Sequence, residues 1–250
     1  MMRQLICMTI GLILAAPVMG DETTPESDAP NPGIEILKKA DQTLRDTQTL
    51  SYSAELKAEG WIDQYIKSAS GKALLTKEEG VAGPMYRMEI EIAEGDDSAT
   101  RKLTTGCDGE NFYLIDPAVK TAYQDIDPAV AGEAGELFEG IQIRRFNAEE
   151  PFKKELAAEH VELRGESSVG GELCHEVLVQ FGDRGREAVW YISKKDHMFH
   201  KVEQTYVNRE GEKSTAVLVL SQVELNPKLA KNPFVLTVPA GFTLTDEFAP

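Results

Sequence analysis

The sequence is poor in the side chains that most often carry metal or nucleophilic chemistry. It has three cysteines and four histidines in 250 residues. It contains no Gly-x-Ser-x-Gly elbow, phosphate-binding glycine loop, His-Glu-x-x-His or Cys-x-x-Cys motif. Carboxylate pairs such as Glu89 with Glu91 and Asp96 with Asp97 follow strand and turn patterns, which are typical of a solvated surface. We therefore expect no catalytic site, metal or cofactor, and we keep a hydrolase without a recognisable motif as an alternative.

The histidines do not form a ligand pattern. His197 and His200 are three residues apart at a predicted strand start, a spacing that places their side chains on opposite faces. His175 directly follows Cys174, and adjacent strand residues also point to opposite faces. We interpret these histidines as turn or surface residues, because a metal pair would need a bend and further ligands.

Basic residues are scarce relative to acidic ones. There are 26 Lys and Arg against 42 Asp and Glu, for a formal net charge of −16 and a pI near 4.7. Such a charge argues against nucleic acid or an anionic membrane surface as the main partner. We expect a monomer that binds no nucleic acid.

One long apolar run is present, and it lies at the start of the chain. Arg3 precedes the run from Leu5 to Ala16, and small residues follow near Gly20. This pattern predicts a signal peptide over residues 1–20 and a periplasmic or secreted protein; an uncleaved N-terminal anchor is the alternative. Residues 21–32 are acidic and rich in Thr, Ser and Pro, which predicts a flexible linker before a single domain over residues 33–250.

Two cysteines, Cys107 and Cys174, lie in the predicted mature chain. In an oxidising compartment they are a candidate disulfide, which would contribute about 4 kcal/mol in the chain-entropy model. Two buried free thiols are the alternative, because several predicted strands separate the two residues.

The periodicity predicts one helix followed by many strands. Apolar residues at helical spacing predict an amphipathic helix over Gly33–Thr47. Strict alternation predicts strands over Leu50–Glu59 and Met85–Ala93, each with one wet face. The remaining predicted strands cover Gln64–Lys77, Thr100–Cys107, Asn111–Asp116, Lys120–Ile126, His160–Glu166, Glu172–Phe181, Arg186–Ser193, His200–Asn208 and Lys213–Leu225.

Helical composition interrupts the strands in the middle of the chain, over Pro128–Phe146 and Glu149–Glu159. The sum is an α+β fold: a curved antiparallel sheet of roughly ten strands with an N-terminal helix and mid-chain helices. In the last strand we expect Val217, Val219, Val223 and Leu225 to share one face and Ala216, Leu218 and Leu220 the other. Apolar residues on both sides predict that both faces are covered there.

The stretch from Ala188 to Phe242 has a distinctive order. It contains a tryptophan-bearing strand, a hairpin over Asn208-Arg209-Glu210-Gly211, a long strand, and a closing Asn-Pro-Phe and Val-Pro-Ala-Gly-Phe. Upstream, an Asp108-Gly109 turn leads into Phe-Tyr-Leu-Ile-Asp and then Lys-Thr-Ala-Tyr. This order resembles the periplasmic outer-membrane lipoprotein-sorting (LolA-like) family. The resemblance implies a half-barrel with a helical lid over an apolar hollow.

On this basis the chain is interpreted as a non-catalytic carrier for acyl chains of lipids or lipoproteins. An envelope sensor or interaction domain that binds a protein partner, such as an envelope membrane protein, is the alternative. The candidate apolar wall is Tyr52, Leu56, Tyr86, Met88, Ile90, Ile92, Phe112, Leu114, Val177, Val179 and Phe181. The candidate lid residues are Leu137, Phe138 and Ile141. A simple core beneath the helices is the alternative role for each wall residue.

Overall fold

The computed structural model describes residues 30–93, 100–126, 140–182, 185–235 and 237–247. In these residues it has two α-helices, α1 (Pro32–Asp46) and α2 (Lys153–Leu156), and two 3₁₀ turns, Gly60–Gln64 and Arg144–Asn147. The strands are β1 (Thr49–Glu59), β2 (Ala69–Glu79), β3 (Pro84–Ala93), β4 (Thr100–Cys107), β5 (Phe112–Asp116), β6 (Thr121–Asp125), β7 (His160–Val169), β8 (Glu172–Phe181), β9 (Arg186–Ser193), β10 (Phe199–Val207), β11 (Lys213–Leu225) and β12 (Thr243–Thr245). The predicted signal peptide, most of the predicted linker and the Asp96-Asp97 turn lie outside the described residues.

All described strands belong to one open, curved sheet in the order β12-β6-β5-β4-β3-β2-β1-β11-β10-β9-β8-β7. Neighbours pair antiparallel except β12, which runs parallel to β6. The predicted curved antiparallel α+β fold is confirmed, with twelve strands rather than roughly ten. Sequence reasoning missed β12, because three residues are too few to show an alternating pattern.

The first helix has local signals at both ends. The Asn31 side chain caps it by accepting from the backbone N–H of Gly33 at 2.9 Å and of Ile34 at 3.3 Å. The Lys77 ammonium donates to the carbonyls of Leu44 at 2.6 Å and Arg45 at 2.8 Å, where a cation complements the helix dipole. The predicted helix is confirmed within one residue at each end. No helix in the described ranges is long and apolar enough to cross a membrane.

The sheet has a core face and an outer face. The core face is the side that carries α1 and the segment 140–156, together with most buried apolar side chains. Antiparallel register fixes which residues share it: Leu56 lies opposite Leu218, whereas the neighbouring pair Lys57 and Val217 point to the outer face.

The predicted assignment of β11 side chains to the two faces of the sheet is wrong beyond Ser221. A β-bulge places Gln222 at φ 50° and shifts the register between β1 and β11, so that Ser221 pairs with Ser53 but Glu224 pairs with Ser51. The extra residue reverses the alternation, and Val223 and Leu225 pack against the core with Leu218 and Leu220. On the outer face, Val217 and Val219 lie between charged side chains of neighbouring strands, and within the described ranges no second layer covers them.

The mid-chain segment differs from the predicted long helices. Within the described part of that region, residues 140 and 141 form a turn, residues 142 and 143 have no regular structure, and only Arg144–Asn147 and Lys153–Leu156 form helical turns. The buried Tyr52 hydroxyl donates to the Ile141 carbonyl at 2.8 Å and accepts from the Ile143 N–H at 3.2 Å. This phenol replaces the hydrogen bonds that a helix would provide, so Ile141, Ile143 and Phe146 can all enter the core.

An aromatic cluster fills the core face near β9 and β10. Trp190 lies edge-on to Phe152 and to Phe199, with ring centroids 5.2 Å apart in both pairs. The Arg145 guanidinium lies 4.6 Å from the Phe152 ring and 4.3 Å from the Trp190 ring, and it pairs with Glu155 at 3.0 Å. These contacts leave little room for a ligand at this part of the sheet.

Candidate functional site

A pocket with an apolar floor and a partly polar rim opens on the core face where β1, β11 and β10 lie side by side. Its volume is about 240 Å³. The described lining residues are Leu56, Tyr65, Ile66, Lys67, Gly140, Val202, Gln204, Tyr206, Ala216 and Leu218.

Three neighbouring strands form the pocket floor. Leu218 of β11 pairs with Leu56 of β1 on one side and with Val202 of β10 on the other. Ala216 lies one step along the same face and widens the floor, because its side chain is short. Leu218 remains only half-buried, so apolar surface is available to a ligand at this point.

The backbone of Gly140 forms one wall. A Cβ atom at this position would lie 2.1 Å from Cδ2 of Leu56, so a larger residue could not approach the floor this closely. The chain then continues into Ile141, whose Cδ1 would lie 3.0 Å from a Cβ at Gly71. The segment 140–141 is therefore seated directly on β1 and β2.

The first 3₁₀ turn, Gly60–Gln64, supports the opposite wall. Ile62 is buried, and its N–H donates to the Ser214 hydroxyl at 3.3 Å. The Trp61 indole N–H donates to the Glu212 carbonyl at 3.2 Å. These contacts hold Tyr65 and Ile66 at the mouth of the pocket.

The polar part of the rim carries no carboxylate among the described residues. It consists of Lys67, Gln204 and Tyr206. The Tyr206 hydroxyl donates to Oε1 of Gln204, and burial raises the pKa of Tyr206, so the phenol remains a neutral donor. The arrangement suits an apolar chain with a polar or anionic end near Lys67.

The eleven residues predicted to form the apolar wall fall into two groups, one in the pocket and one in the core. Leu56 lines the pocket. The buried members of the continuous core are Tyr52, Met88, Ile90, Ile92, Leu114, Val177 and Val179. Tyr86 and Phe181 pack partly buried against this core, and Phe112 is also buried. Of the predicted lid residues, Ile141 is buried, whereas Leu137 and Phe138 lie outside the described residues.

Sequence reasoning missed most of the pocket. The alternating pattern of residues 213–225 correctly placed Ala216 and Leu218 on one face, and it was the only signal for the pocket in the sequence. It did not show that these residues lie beside Leu56. Tyr65 and Ile66 were assigned to a strand that begins only at Ala69. Their position at the mouth depends on the 3₁₀ turn, which has no periodic signal.

The candidate disulfide is not formed: Cys107 and Cys174 are both free and buried. They lie in β4 and β8, seven positions apart in the sheet order, which is far beyond the reach of a disulfide at about 4.8 Å per strand. Burial raises the pKa of both thiols, to about 11 for Cys174. Neither cysteine is an activated nucleophile.

Three of the four histidines, His175, His197 and His200, lie near the ends of β8 to β10, and His160 begins β7. Burial lowers the pKa of His175 and His200, which favours their neutral forms. Nδ1 of His175, Nδ1 of His197 and Nε2 of His200 are buried without a hydrogen-bond partner. Across the ranges that the structure covers, no three His, Cys, Asp or Glu side chains converge as a metal site would require.

A larger depression of about 910 Å³ lies mainly over outer-face residues of β11, β1, β2, β3 and β4. Hydroxyl and charged side chains dominate its lining, including Ser53, Ser70 and Lys72. Lys102 and Glu91 pair across it at 2.7 Å. This depression is the more open of the two, so the smaller and more enclosed pocket over Leu56, Val202 and Leu218 is the better candidate for a specific ligand site.

Comparison with known proteins agrees with this architecture. A family model described as "Predicted periplasmic protein (DUF2092)" matches residues 33–245. No curated protein matches the sequence. Among solved structures, LprF from Mycobacterium bovis is similar at 10% identity with a TM-score of 0.53, over 83% of this chain and 100% of that chain.

Two further structures extend the comparison. The MucA/MucB complex of Pseudomonas aeruginosa matches at 12% identity with a TM-score of 0.46, over 82% of this chain and 61% of that chain. A LolA superfamily protein from Nitrosomonas europaea matches at 13% identity with a TM-score of 0.30, over 83% of this chain and 99% of that chain. The sequence order resembles that of LolA-like proteins, and a LolA superfamily protein is among the solved structures that match this chain. At these identities the similarity concerns the fold and does not identify a ligand.

Proposed function

Because the chain belongs to the DUF2092 family of predicted periplasmic proteins, we propose that it is an exported, non-catalytic carrier or binding protein for acyl chains. The acyl chains belong to lipids or to lipoproteins. The apolar pocket on the core face holds the chain, and the rim near Lys67 receives its polar end.

The observation that carries this proposal is the apolar floor formed by Leu56, Val202 and Leu218 across three strands, in which Leu56 and Val202 are buried and Leu218 remains partly exposed. Each acyl CH₂ group that leaves water there contributes about 0.8 kcal/mol. The volume of about 240 Å³ is below the range of roughly 300–1,000 Å³ that is typical of ligand pockets. The pocket therefore accommodates a short acyl chain or the end of a longer one.

The other predicted wall residues support the pocket in this proposal. Tyr52 holds the segment that follows Gly140, and Met88 and Ile90 lie in the core beneath that segment. Ile141 is the described residue of the predicted lid, whose other members, Leu137 and Phe138, lie outside the described residues. Release of the ligand requires this lid to open or the ligand to pass to a partner.

The test is native mass spectrometry, together with analysis of organic extracts, on protein purified from the cell envelope without detergent. A stoichiometric lipid or acylated protein would establish a carrier and identify its cargo. Two variants locate the site: Leu218→Gln in the pocket and Val217→Gln on the outer face. Both residues are half-buried neighbours on β11.

We expect Leu218→Gln to weaken binding of a fluorescent fatty acid about tenfold, since an amide in an apolar pocket costs about 1–3 kcal/mol. Val217→Gln is expected to bind like the unsubstituted protein. Equal affinity in both variants would place the ligand elsewhere. A protein that is purified empty and takes up no fatty acid would instead favour the interaction domain, and a stoichiometric membrane protein in a pull-down would support that alternative.

A further inference from the structure

An exposed aromatic surface lies at the mouth of the pocket. We call Trp61, Tyr65, Ile66 and Lys67 the mouth patch. Tyr65 is 72% exposed, and its ring lies edge-on to Trp61 with centroids 6.3 Å apart. Ile66 and Lys67 follow directly in the chain and line the pocket.

The patch is held in place rather than left on a loose loop. The N–H groups of Tyr65 and Ile66 both donate to the Ile62 carbonyl at 2.9 Å, and Ile62 is buried. Gly60 adopts φ +82°, and a Cβ there would lie 2.6 Å from the Ser214 hydroxyl. Gln64 closes the turn by donating to the Trp61 carbonyl at 2.8 Å. The fold therefore fixes an exposed tyrosine at the entrance of an apolar pocket.

The composition of the patch indicates its partner. Trp and Tyr combine an apolar ring with a polar tip and favour the boundary between hydrocarbon and water, and Lys extends its ammonium to headgroup phosphates. The formal net charge of −16 disfavours strongly anionic surfaces. These features together match a bilayer of zwitterionic phospholipids.

We propose that the mouth patch docks on the headgroup layer of a zwitterionic phospholipid bilayer, so that an acyl chain passes between bilayer and pocket without crossing water. This inference rests on the carrier function proposed above. Docking places Tyr65 and Ile66 at the depth of the first acyl carbons and leaves the pocket open to the membrane.

The chain offers a matched control at the other end of the sheet. Val81 is 87% exposed in the turn after β2, whereas the mouth patch precedes β2. The 11 residues of β2 span about 36 Å at roughly 3.3 Å per residue. Val81→Ser therefore removes an exposed apolar side chain far from the pocket, and Tyr65→Ser removes one at its mouth.

The experiment is flotation of the exported protein with phosphatidylcholine vesicles, alongside binding of a fluorescent fatty acid in vesicle-free solution. We expect Tyr65→Ser to reduce the vesicle-bound fraction about tenfold, because burial of one large aromatic is worth more than 1 kcal/mol. Val81→Ser should float like the unsubstituted protein, and both should bind the soluble fatty acid, whereas Tyr65→Ser, at a residue that lines the pocket, is compared by its flotation alone.

Tryptophan fluorescence gives a second readout. The chain has two tryptophans, and Trp190 is buried in the aromatic cluster away from the mouth. Vesicles with brominated acyl chains should quench the unsubstituted protein and should not quench Trp61→Phe, which retains only Trp190.

The outcomes separate the two proposals. Fatty-acid binding by the unsubstituted protein and by Val81→Ser, without flotation of either, would overturn docking and leave the carrier intact. Flotation without fatty-acid binding would refute the carrier and, with it, the transfer role of the patch. Equal loss of flotation in both serine variants, or binding only to anionic vesicles, would also overturn the proposed docking.

Discussion

The Tyr52 hydroxyl is the contact on which the placement of residues 140–143 depends most directly, and Tyr52→Phe tests that dependence. The phenol is fully buried, donates to the Ile141 carbonyl at 2.8 Å, and accepts from the Ile143 N–H at 3.2 Å. Phenylalanine preserves the ring but leaves both backbone groups without this partner. Gly140, next to these groups, forms a pocket wall, so the substitution also affects the candidate site.

The expected loss follows from the two orphaned groups. A buried polar group without a partner costs about 1–3 kcal/mol, so two such groups, partly relaxed, predict a decrease of about 2–3 kcal/mol in the free energy of unfolding. For a domain of this size that corresponds to a decrease in Tm of about 5–10 °C. Burial also raises the pKa of Tyr52, so the phenol stays neutral across the working pH range.

Urea unfolding followed by tryptophan fluorescence measures the change, and hydrogen exchange at the Ile143 amide locates it. Tyr65→Phe is the control, since the same hydroxyl is removed from a ring that is 72% exposed; its free energy of unfolding should change by less than about 0.5 kcal/mol. A similarly small change for Tyr52→Phe, with unaltered exchange at Ile143, would show that the phenol does not hold this segment.

Three further predictions concern pH, thiols and the first helix. Burial lowers the pKa of His175 and His200 from 6.5, so their neutral forms stabilise the folded protein above about pH 6.5. This stability is lost as the pH falls through the lowered pKa values. The decrease in Tm on acidification should therefore be smaller in the double variant His175→Asn/His200→Asn than in the unsubstituted protein. Cys107 and Cys174 should react with iodoacetamide only after unfolding and without prior reduction, because burial raises the pKa of Cys174 to about 11 and also raises the pKa of Cys107. The intact mass of the protein gives the number of added groups. Rapid reaction of the folded protein would contradict the burial of these thiols. Lys77→Met should lower the free energy of unfolding by about 1–2 kcal/mol, because it removes the hydrogen bonds to the carbonyls at the end of α1. Lys72→Met, at an exposed position on the same strand, should leave the free energy of unfolding unchanged. Equal urea midpoints for the two variants would show that Lys77 does not stabilise the helix end.

Local pattern was sufficient for most elements of the fold. The helix Pro32–Asp46 and the strands β4, β8, β9 and β11 follow the predicted ranges within one residue. Their signals lie within a few residues of one another: alternation for the strands, and helical spacing with the Asn31 cap for α1. Within the described mid-chain residues, the predicted helix does not extend through residues 141–143, because the Tyr52 hydroxyl, from a distant strand, supplies the hydrogen bonds of residues 141 and 143.

The same distinction holds at the candidate site. The alternating pattern indicated which residues of β1 and β11 face the core, but only the register between β1, β11 and β10 brings Leu56, Leu218 and Val202 together. The bulge at Gln222 further reassigned Val223 and Leu225 to the core face. One inserted residue reverses every side chain beyond it, and no local pattern reports such an insertion.

Composition and short-range periodicity were enough to predict the family resemblance, the export signal pattern, the antiparallel sheet and the apolar character of its core face. The three-dimensional arrangement was needed to learn that most predicted wall residues are core, that Cys107 and Cys174 are free, and that the pocket lies between β1, β11, β10 and Gly140. These features depend on strand order and on contacts between residues far apart in the chain. Such contacts are set by packing of the whole sheet rather than by any one segment.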